Sequence, residues 1–355
     1  MKQGDNLSRK YVTLKDISKK TGLAVTTVSK ALRNHPDINR KTARMVQQAA
    51  EEMGYIKNVS ASQLKRNKSN TVGVVLSDSS NPFFAEFMAG LESEAFKQGY
   101  KLIRMNSEGE QKKEEEAIKT LLQYRVDGLV IFPLQESIHK YEKYGITRNG
   151  VLIGWSKEEG IIDSVYTKEF KGMYLATSHL IKTGRKDILF LDNFLYKTGY
   201  YGRRFEGYKQ AMIDHGLGYK KENHIINTNL EKQHRIYEGY TSIKNVIESG
   251  KEFDGLVCFN DLLAYGAIKA LHEMKVKIPD DVGIVGYDSL TFSMMVYPSL
   301  SSVNYSKFHW GELALKTLLK RLNNPDLPIQ EIVIDVELEV RESSLKQKNT
   351  AKEQR

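Results

Sequence analysis

Residues Thr13–Arg33 read T-L-K-D-I-S-K-K-T-G-L-A-V-T-T-V-S-K-A-L-R, and this stretch decides the fold of the N-terminus. Leu14, Ile17 and the aliphatic part of Lys20 or Thr21 share one side of a helix, and Val28 and Leu32 form a second stripe four residues apart. Two short helices that pack on each other are therefore expected. Thr13 and Asp16 have the spacing of a capping box, and Gly22 is placed to turn the chain at the end of the first helix. The second helix is expected to begin near Val25. In a helix-turn-helix that helix enters the major groove, so Val25, Thr26, Ser29 and Lys30 are the candidate readers of base edges. A small helical hairpin in a core is the alternative that this segment alone leaves open.

Charge favours DNA. Residues 1–70 hold fifteen Lys or Arg against five acids, about +10, whereas the whole chain carries +9 and the rest is therefore about −1. A basic head on a nearly neutral body is the footprint of nucleic-acid binding, because phosphate contacts supply most non-specific affinity.

Working outward, Asn39 is a plausible cap for a third helix, 41–53, with Ala43, Val46, Ala49, Ala50 and Met53 inward, and Gly54 ends it. Residues 55–64 form a short helix-capable stretch and the polar run 65–70 a linker. From Thr71 onward short apolar runs alternate with longer helical patterns, which is the rhythm of βαβ units and a parallel sheet, and it restarts after Trp155. Two similar α/β lobes in series follow from this. In such lobes ligands bind at the C-terminal strand edges, so the body is expected to close on a small molecule. Residues 331–340 alternate well enough for one strand, and 346–355 read as a disordered tail.

At 355 residues the chain suits a head plus a body of one or two lobes. No apolar run approaches the roughly eighteen residues of a membrane span, and residues 1–10 lack the apolar core of a signal peptide, so no membrane partner and a cytoplasmic location are expected. Cys258 is the sole cysteine, inside an apolar run, and reads as a buried strand residue; the eight histidines show no ligand spacing, so no metal and no cofactor are expected. No G-x-G-x-x-G follows 72–76, and neither a P-loop nor a nucleophile–base pattern is present, which argues against an enzyme.

Taken together, these residues resemble the LacI/GalR family of bacterial transcription regulators from Val12 to about Ser344. The head is similar in T-L-K-D-I-S, T-T-V-S-K-A-L and G-Y-I-K-N; the body in Asn81-Pro-Phe-Phe, Asp127-Gly-Leu-Val, Arg204-Phe-Glu-Gly-Tyr, Asn260-Asp and the run Pro279–Asp288. The order of the set, more than any one motif, carries the resemblance. It implies an α/β chain with a helical helix-turn-helix head and a two-lobed, type I periplasmic-binding-protein-like effector domain with parallel sheets. The implied domains are a head over 1–57, a hinge helix and linker over 58–70, and an effector-binding and dimerisation body over 71–345. Within the body, the N-lobe takes about 71–165 and 301–333 and the C-lobe about 166–300 and 334–345, before the tail at 346–355.

The resemblance further implies a homodimer, or a tetramer, whose two heads bind the half-sites of double-stranded operator DNA. Its DNA contacts carry over to Thr13, Val25, Thr26, Thr27, Ser29 and Lys30, then to Arg33, Asn39, Thr42 and Tyr55. The hinge helix falls on 58–64, with Asn58, with Ala61 as the small residue at the pair's approach, and with Leu64 as the minor-groove wedge. The chain departs from the family at Ala24, where Ser usually caps the recognition helix, and at Lys30, which replaces Arg and loses its bidentate fork. Lys57 and Ser62 replace a common proline and arginine.

For the effector cleft, Arg204 aligns with an arginine that in relatives reaches ligand hydroxyls or carboxylates. Asp288 and Asn260 each follow a strand, and an Arg, an Asp and an Asn converging suit a polyhydroxylated ligand. Phe83, Phe84 and Trp155 supply apolar faces, one of the two phenylalanines being expected in the core. A structural Arg204–Asp288 ion pair is the plainer alternative. The expected function is an effector-controlled repressor of a carbohydrate-utilisation operon responding to a sugar or sugar derivative. A purine, a nucleoside or a phosphoprotein co-regulator stays open as the effector. A sugar-binding receptor of a transporter shares the two-lobed body, but it would carry a signal peptide and no basic head.

Overall fold

A computed structural model describes residues 11–56, 68–134, 137–154, 160–192, 202–226 and 235–345. The chain divides between Lys68 and Ser69 into two compact units.

The first unit holds three helices, α1 (Leu14–Thr21), α2 (Val25–Ala31) and α3 (Arg40–Glu52). Thr13 caps α1 as the sequence predicts: its Oγ1 accepts from the Asp16 amide, while the Asp16 carboxylate accepts from the Thr13 amide at 2.9 Å. Gly22 ends α1 in the left-handed conformation at φ 70°. Asn39 caps α3 by accepting from the Lys41 amide at 2.8 Å. No side chain caps α2, whose N-cap is Ala24. Ile17, Val28, Ala31, Val46, Ala49 and Ala50 form a small core, with Leu14, Leu32 and Met53 packed against it. The expected stripes are the ones packed inward; of the set expected for the third helix, Ala43 and Met53 stay half-exposed.

The second unit contains two six-stranded sheets. The N-lobe sheet uses β1 (Thr71–Leu76), β2 (Lys101–Asn106), β3 (Gly128–Ile131), β4 (Gly150–Ile153), β5 (Asp163–Thr167) and β11 (Glu331–Ile334), in the order β11-β5-β4-β3-β1-β2. The C-lobe sheet uses β6 (Ile188–Asp192), β7 (His224–Ile226), β8 (Gly255–Cys258), β9 (Gly283–Tyr287), β10 (Ser301–Asn304) and β12 (Glu337–Glu339), in the order β12-β10-β9-β8-β6-β7. All neighbours are parallel except β10 and β12. The central strands β1, β3, β4, β8 and β9 are buried throughout, because helices cover both faces of a parallel sheet. Cys258 is buried in β8, where the sequence placed it.

The chain passes between the lobes three times, after β5, after β10 and between β11 and β12. Two expectations are corrected here. Residues 301–304 were assigned to the N-lobe but pair with β9, so the second passage comes after Asn304. The single strand expected over 331–340 is two strands in different sheets, parted at Asp335 and Val336. Alternation continues through the break because both halves are sheet edges with one buried face, so hydropathy does not mark the change of lobe.

The longer helices of the body are α4 (Pro82–Lys97), α5 (Gln111–Gln123), α6 (Glu169–Lys182), α7 (Gly202–Asp214), α8 (Arg235–Glu248), α9 (Asp261–Glu273) and α10 (Lys307–Asn323). α4 and α10 cross closely because Gly90 and Gly311 face backbone: a Cβ at Gly90 would lie 1.8 Å from the Phe308 carbonyl oxygen, and one at Gly311 2.1 Å from that of Phe87. That approach brings the start of α4 and the first turn of α10 to the same side of the cleft.

Candidate functional site

The head presents its polar residues on and around α2. Val25 and Thr26 are exposed, Thr27, Ser29 and Lys30 half-buried, and Val28 and Ala31 turn inward. One helix face packs while the opposite face is left for a duplex. Three of the expected contacts, Ser29, Lys30 and Arg33, are engaged within the head itself. Arg33 donates to the Ser29 carbonyl at 3.0 Å and to its hydroxyl at 2.8 Å, and Lys30 Nζ meets Asp37 at 3.2 Å. Asp37 was not singled out from sequence; its place opposite Lys30 arises from the loop after α2. Thr13 and Asn39 are exposed helix caps, Thr42 is half-buried on α3, and Tyr55 packs against the head core. Asn58, Ala61 and Leu64 lie outside the described residues, as do Lys57 and Ser62.

In the body, a cleft opens between the lobes. From the N-lobe side it is lined by Phe83, Phe84, Phe132 and Trp310, and from the C-lobe side by Glu169, Arg204, Asn260 and Asp288. The aromatic wall is a set of edge-to-face rings, with Phe84 and Phe132 centroids 4.8 Å apart and Phe83 and Trp310 at 5.7 Å. Asn81 caps α4 through the Phe83 amide and so fixes the first turn that carries both phenylalanines. Both line the cleft and both are nearly buried, so neither is core alone. Trp310 is held by its indole donating to the Val165 carbonyl at 3.1 Å.

Arg204 is the centre of the polar wall. Its Nε and Nη2 donate to Glu169 Oε1 at 3.0 and 2.8 Å, and Nη1 donates to the Phe259 carbonyl at 2.6 Å. Its plane lies over the rings of Tyr287 at 3.8 Å and Phe259 at 4.4 Å. Asp288 Oδ1 is 3.9 Å from Nη2 and accepts from the Tyr305 hydroxyl at 2.6 Å. The Asp288 backbone has φ 104°, a conformation unusual for a side-chain-bearing residue, and it is pinned by Lys307 Nζ donating to its carbonyl at 2.6 Å. Asn260 caps α9 by accepting from the Leu263 amide at 3.0 Å, which spends its carbonyl and leaves its amide donors beside the cleft.

Burial pushes the carboxyls of Glu169 and Asp288 above the ordinary range, and Arg204 opposes that rise in both. Burial also disfavours the Arg204 cation, but the two carboxylates outweigh it and hold the guanidinium charged. Next to Asn260, Asp261 is fully buried and accepts from the Leu290 amide, Ser293 and Ser302; burial, then the nearby Asp288, pushes it up to about 7. It ties the start of α9 to the loop after β9 and does not reach ligand space.

The structure thus brings together Phe83, Phe84, Arg204, Asn260 and Asp288 as expected, while Trp155 lies outside the described residues. The anticipated Arg204–Asp288 pair exists only at 3.9 Å; the principal partner of Arg204 is Glu169. Glu169, Phe132, Tyr305, Lys307 and Trp310 were missed. Three of them, Glu169, Tyr305 and Lys307, stand at passages between lobes. An acid in the first turn of a helix that follows a strand was the available signal for Glu169.

A basic helix-turn-helix head and a two-lobed body with a polar-and-aromatic cleft define the class of ligand-responsive DNA-binding regulators. Residues 13–58 match the family described as bacterial regulatory proteins, lacI family, and residues 69–326 match periplasmic binding proteins and sugar binding domain of LacI family. The chain belongs to the LacI family and is a DNA-binding transcriptional regulator. It is 30% identical to the HTH-type transcriptional regulator RegA of Clostridium saccharobutylicum, over 94% of this chain and 99% of the relative. It is 31% identical to the HTH-type transcriptional repressor PurR of Actinobacillus pleuropneumoniae, over 87% of this chain and 91% of that one. The structure of a LacI family transcriptional regulator from Enterococcus faecium with bound ribose is similar at TM-score 0.67 and 29% identity, covering 78% of this chain and 100% of the other.

Proposed function

We propose that this regulator is a repressor of carbohydrate-utilisation genes whose cleft binds a sugar or sugar derivative. The observation that carries this reading is the pairing of one wall of aromatic rings with a facing wall of Glu169, Arg204, Asn260 and Asp288. Sugars present C–H faces and a ring of hydroxyls, and those two walls complement both. The ribose bound to the Enterococcus faecium relative supports a ligand of this class.

On the DNA side, the reading assigns base contacts to Val25, Thr26, Thr27, Ser29, Lys30 and Arg33, backbone contacts to Thr13, Asn39, Thr42 and Tyr55, and the minor-groove wedge to Leu64 with Asn58 and Ala61. Leu64→Ala should lose specific binding far more than non-specific binding; equal loss on both DNAs counts against the wedge. Two half-sites call for two heads, and the proposed body is a homodimer. An exposed apolar run in the C-lobe supports it: Phe292, Met294, Met295 and Tyr297 are 59, 60, 79 and 81% exposed.

The test is a thermal-shift screen of sugars, sugar derivatives and purines, followed by operator binding with and without each hit. A cleft ligand raises stability by mass action. A sugar that stabilises the protein and changes operator affinity supports the reading, and a response confined to purines overturns it. Among the described residues no helix is long and apolar enough to cross a membrane.

A further inference from the structure

The charge balance of the cleft is specific. Arg204 is the one Lys or Arg lining it among the described residues, against the two carboxylates of Glu169 and Asp288. Three of its five N–H donors are already engaged, Nε and Nη2 on Glu169 Oε1 and Nη1 on the Phe259 carbonyl, and its guanidinium carbon lies over the rings of Phe259 and Tyr287. A ligand phosphate or carboxylate reaching Arg204 would meet a cation already opposed by Glu169 and Asp288 and would sit beside both buried carboxyls.

Glu169 supplies the second half of the argument. Its side chain is 2% exposed and lines the cleft, yet both bonds from Arg204 fall on Oε1. Oε2 is buried without a hydrogen-bond partner. A carboxylate oxygen is an acceptor only, and leaving one buried and unsatisfied is costly, so the matching ligand group is a donor. Asn81, Ser77 and Asn260 line the same space and offer further polar contacts, but no cation that would compensate an anionic ligand.

We propose that Glu169 acts as the charge filter of this cleft, neutralising Arg204 and offering Oε2 to a ligand hydroxyl or ammonium. The cleft accordingly takes neutral or amino-substituted polyols and rejects sugar phosphates and sugar acids. The proposal rests on the reading of this cleft as the effector site. It goes beyond that reading in naming the charge class and the residue that sets it.

The full-length protein is titrated in a thermal-shift assay with matched probes: neutral pentoses and hexoses, the corresponding hexosamines, hexuronic acids and hexose 6-phosphates, and a purine nucleoside beside its 5′-monophosphate. Stabilisation by a neutral or amino member, with its acid or phosphate counterpart at least about tenfold weaker, is expected. The hexose and hexosamine arms separate a hydroxyl donor from an ammonium donor. An acid or phosphate that binds as tightly as its neutral counterpart overturns the filter, as does the absence of binding by every neutral and amino probe. Glu169→Gln should weaken the neutral ligand and narrow the gap to its anionic counterpart; an unchanged gap also overturns the assignment. Should that variant not fold, the wild-type comparison of matched probes decides by itself. A nucleoside that binds while its monophosphate and all sugars do not would remove the carbohydrate reading and leave the filter standing. A sugar phosphate that binds tightly would do the reverse.

Discussion

Arg204 places two donors, at 3.0 and 2.8 Å, on a single oxygen of Glu169, a residue 35 positions earlier in the first turn of the C-lobe's first helix. The arginine proposed to face the effector is therefore also the counter-charge of the C-lobe's first helix. Binding and stability share one side chain, and variants of it must be read for both.

Arg204→Ala should lower the unfolding free energy by about 3–5 kcal/mol, because it leaves Glu169 and Asp288 buried without their cation. Chemical denaturation of the full chain measures this. A loss under about 1 kcal/mol would mean that the carboxyls simply protonate and that the pair adds little.

Ala24→Ser should stabilise α2 by about 0.5–2 kcal/mol, since Ala24 is its N-cap and no side chain bonds there. Amide hydrogen exchange of the α2 residues in the intact protein reports it as slower opening. Unchanged exchange would show that the missing cap costs nothing in this head.

Asp37→Asn should tighten DNA binding a few-fold at low salt, because Asp37 holds Lys30 at 3.2 Å and sets a negative charge beside the reading helix. Fluorescence anisotropy across a salt series tests it. The gain should shrink as salt rises, and a gain independent of salt would point away from electrostatics.

Between about pH 5 and pH 7 the body should lose stability as pH rises. Burial raises Glu114 to about 7, outweighing the bonds from the Tyr141 hydroxyl and the Leu134 amide, and raises Asp261 to about 7. An acid whose folded value lies above its unfolded one binds its proton more tightly when folded, so that stabilisation is complete below the unfolded value and disappears through the folded one. Urea midpoints at pH 5 and pH 7.5 give the slope. Glu114→Gln, which keeps an acceptor and removes the titration, should reduce it; an equally steep slope in the variant would place the effect elsewhere.

Met295→Asp should convert the proposed dimer to a monomer, as a charge in the exposed run Phe292–Tyr297 would need burying on association. Sedimentation equilibrium reads the mass directly. A dimer undiminished at micromolar concentration would move the interface off this surface.

Much of this was legible before any coordinates. The helices of the head follow from apolar spacing and from Thr13, Gly22 and Asn39, whose capping chemistry acts within a few residues. Asn260 and Asp288 were legible because strand ends face the cleft in a parallel α/β lobe, a rule that needs only the order of elements, whereas Arg204 was legible through the family resemblance. Periodicity also located β1, β3, β8 and β9, since a strand buried on both faces is a short continuous apolar run, but not the four-residue β4.

The sequence by itself determined the head's helices and their caps, most of the body's core strands, the basic head and the strand-end residues of the cleft, because each depends on neighbours close along the chain. The tertiary structure alone decided that residues 301–304 join the C-lobe, that 331–340 splits between two sheets, and that Glu169 rather than Asp288 holds Arg204. Those outcomes depend on which strands lie side by side and on where the chain passes from lobe to lobe. Hydropathy carries no record of either, since a residue is equally buried in one lobe or the other.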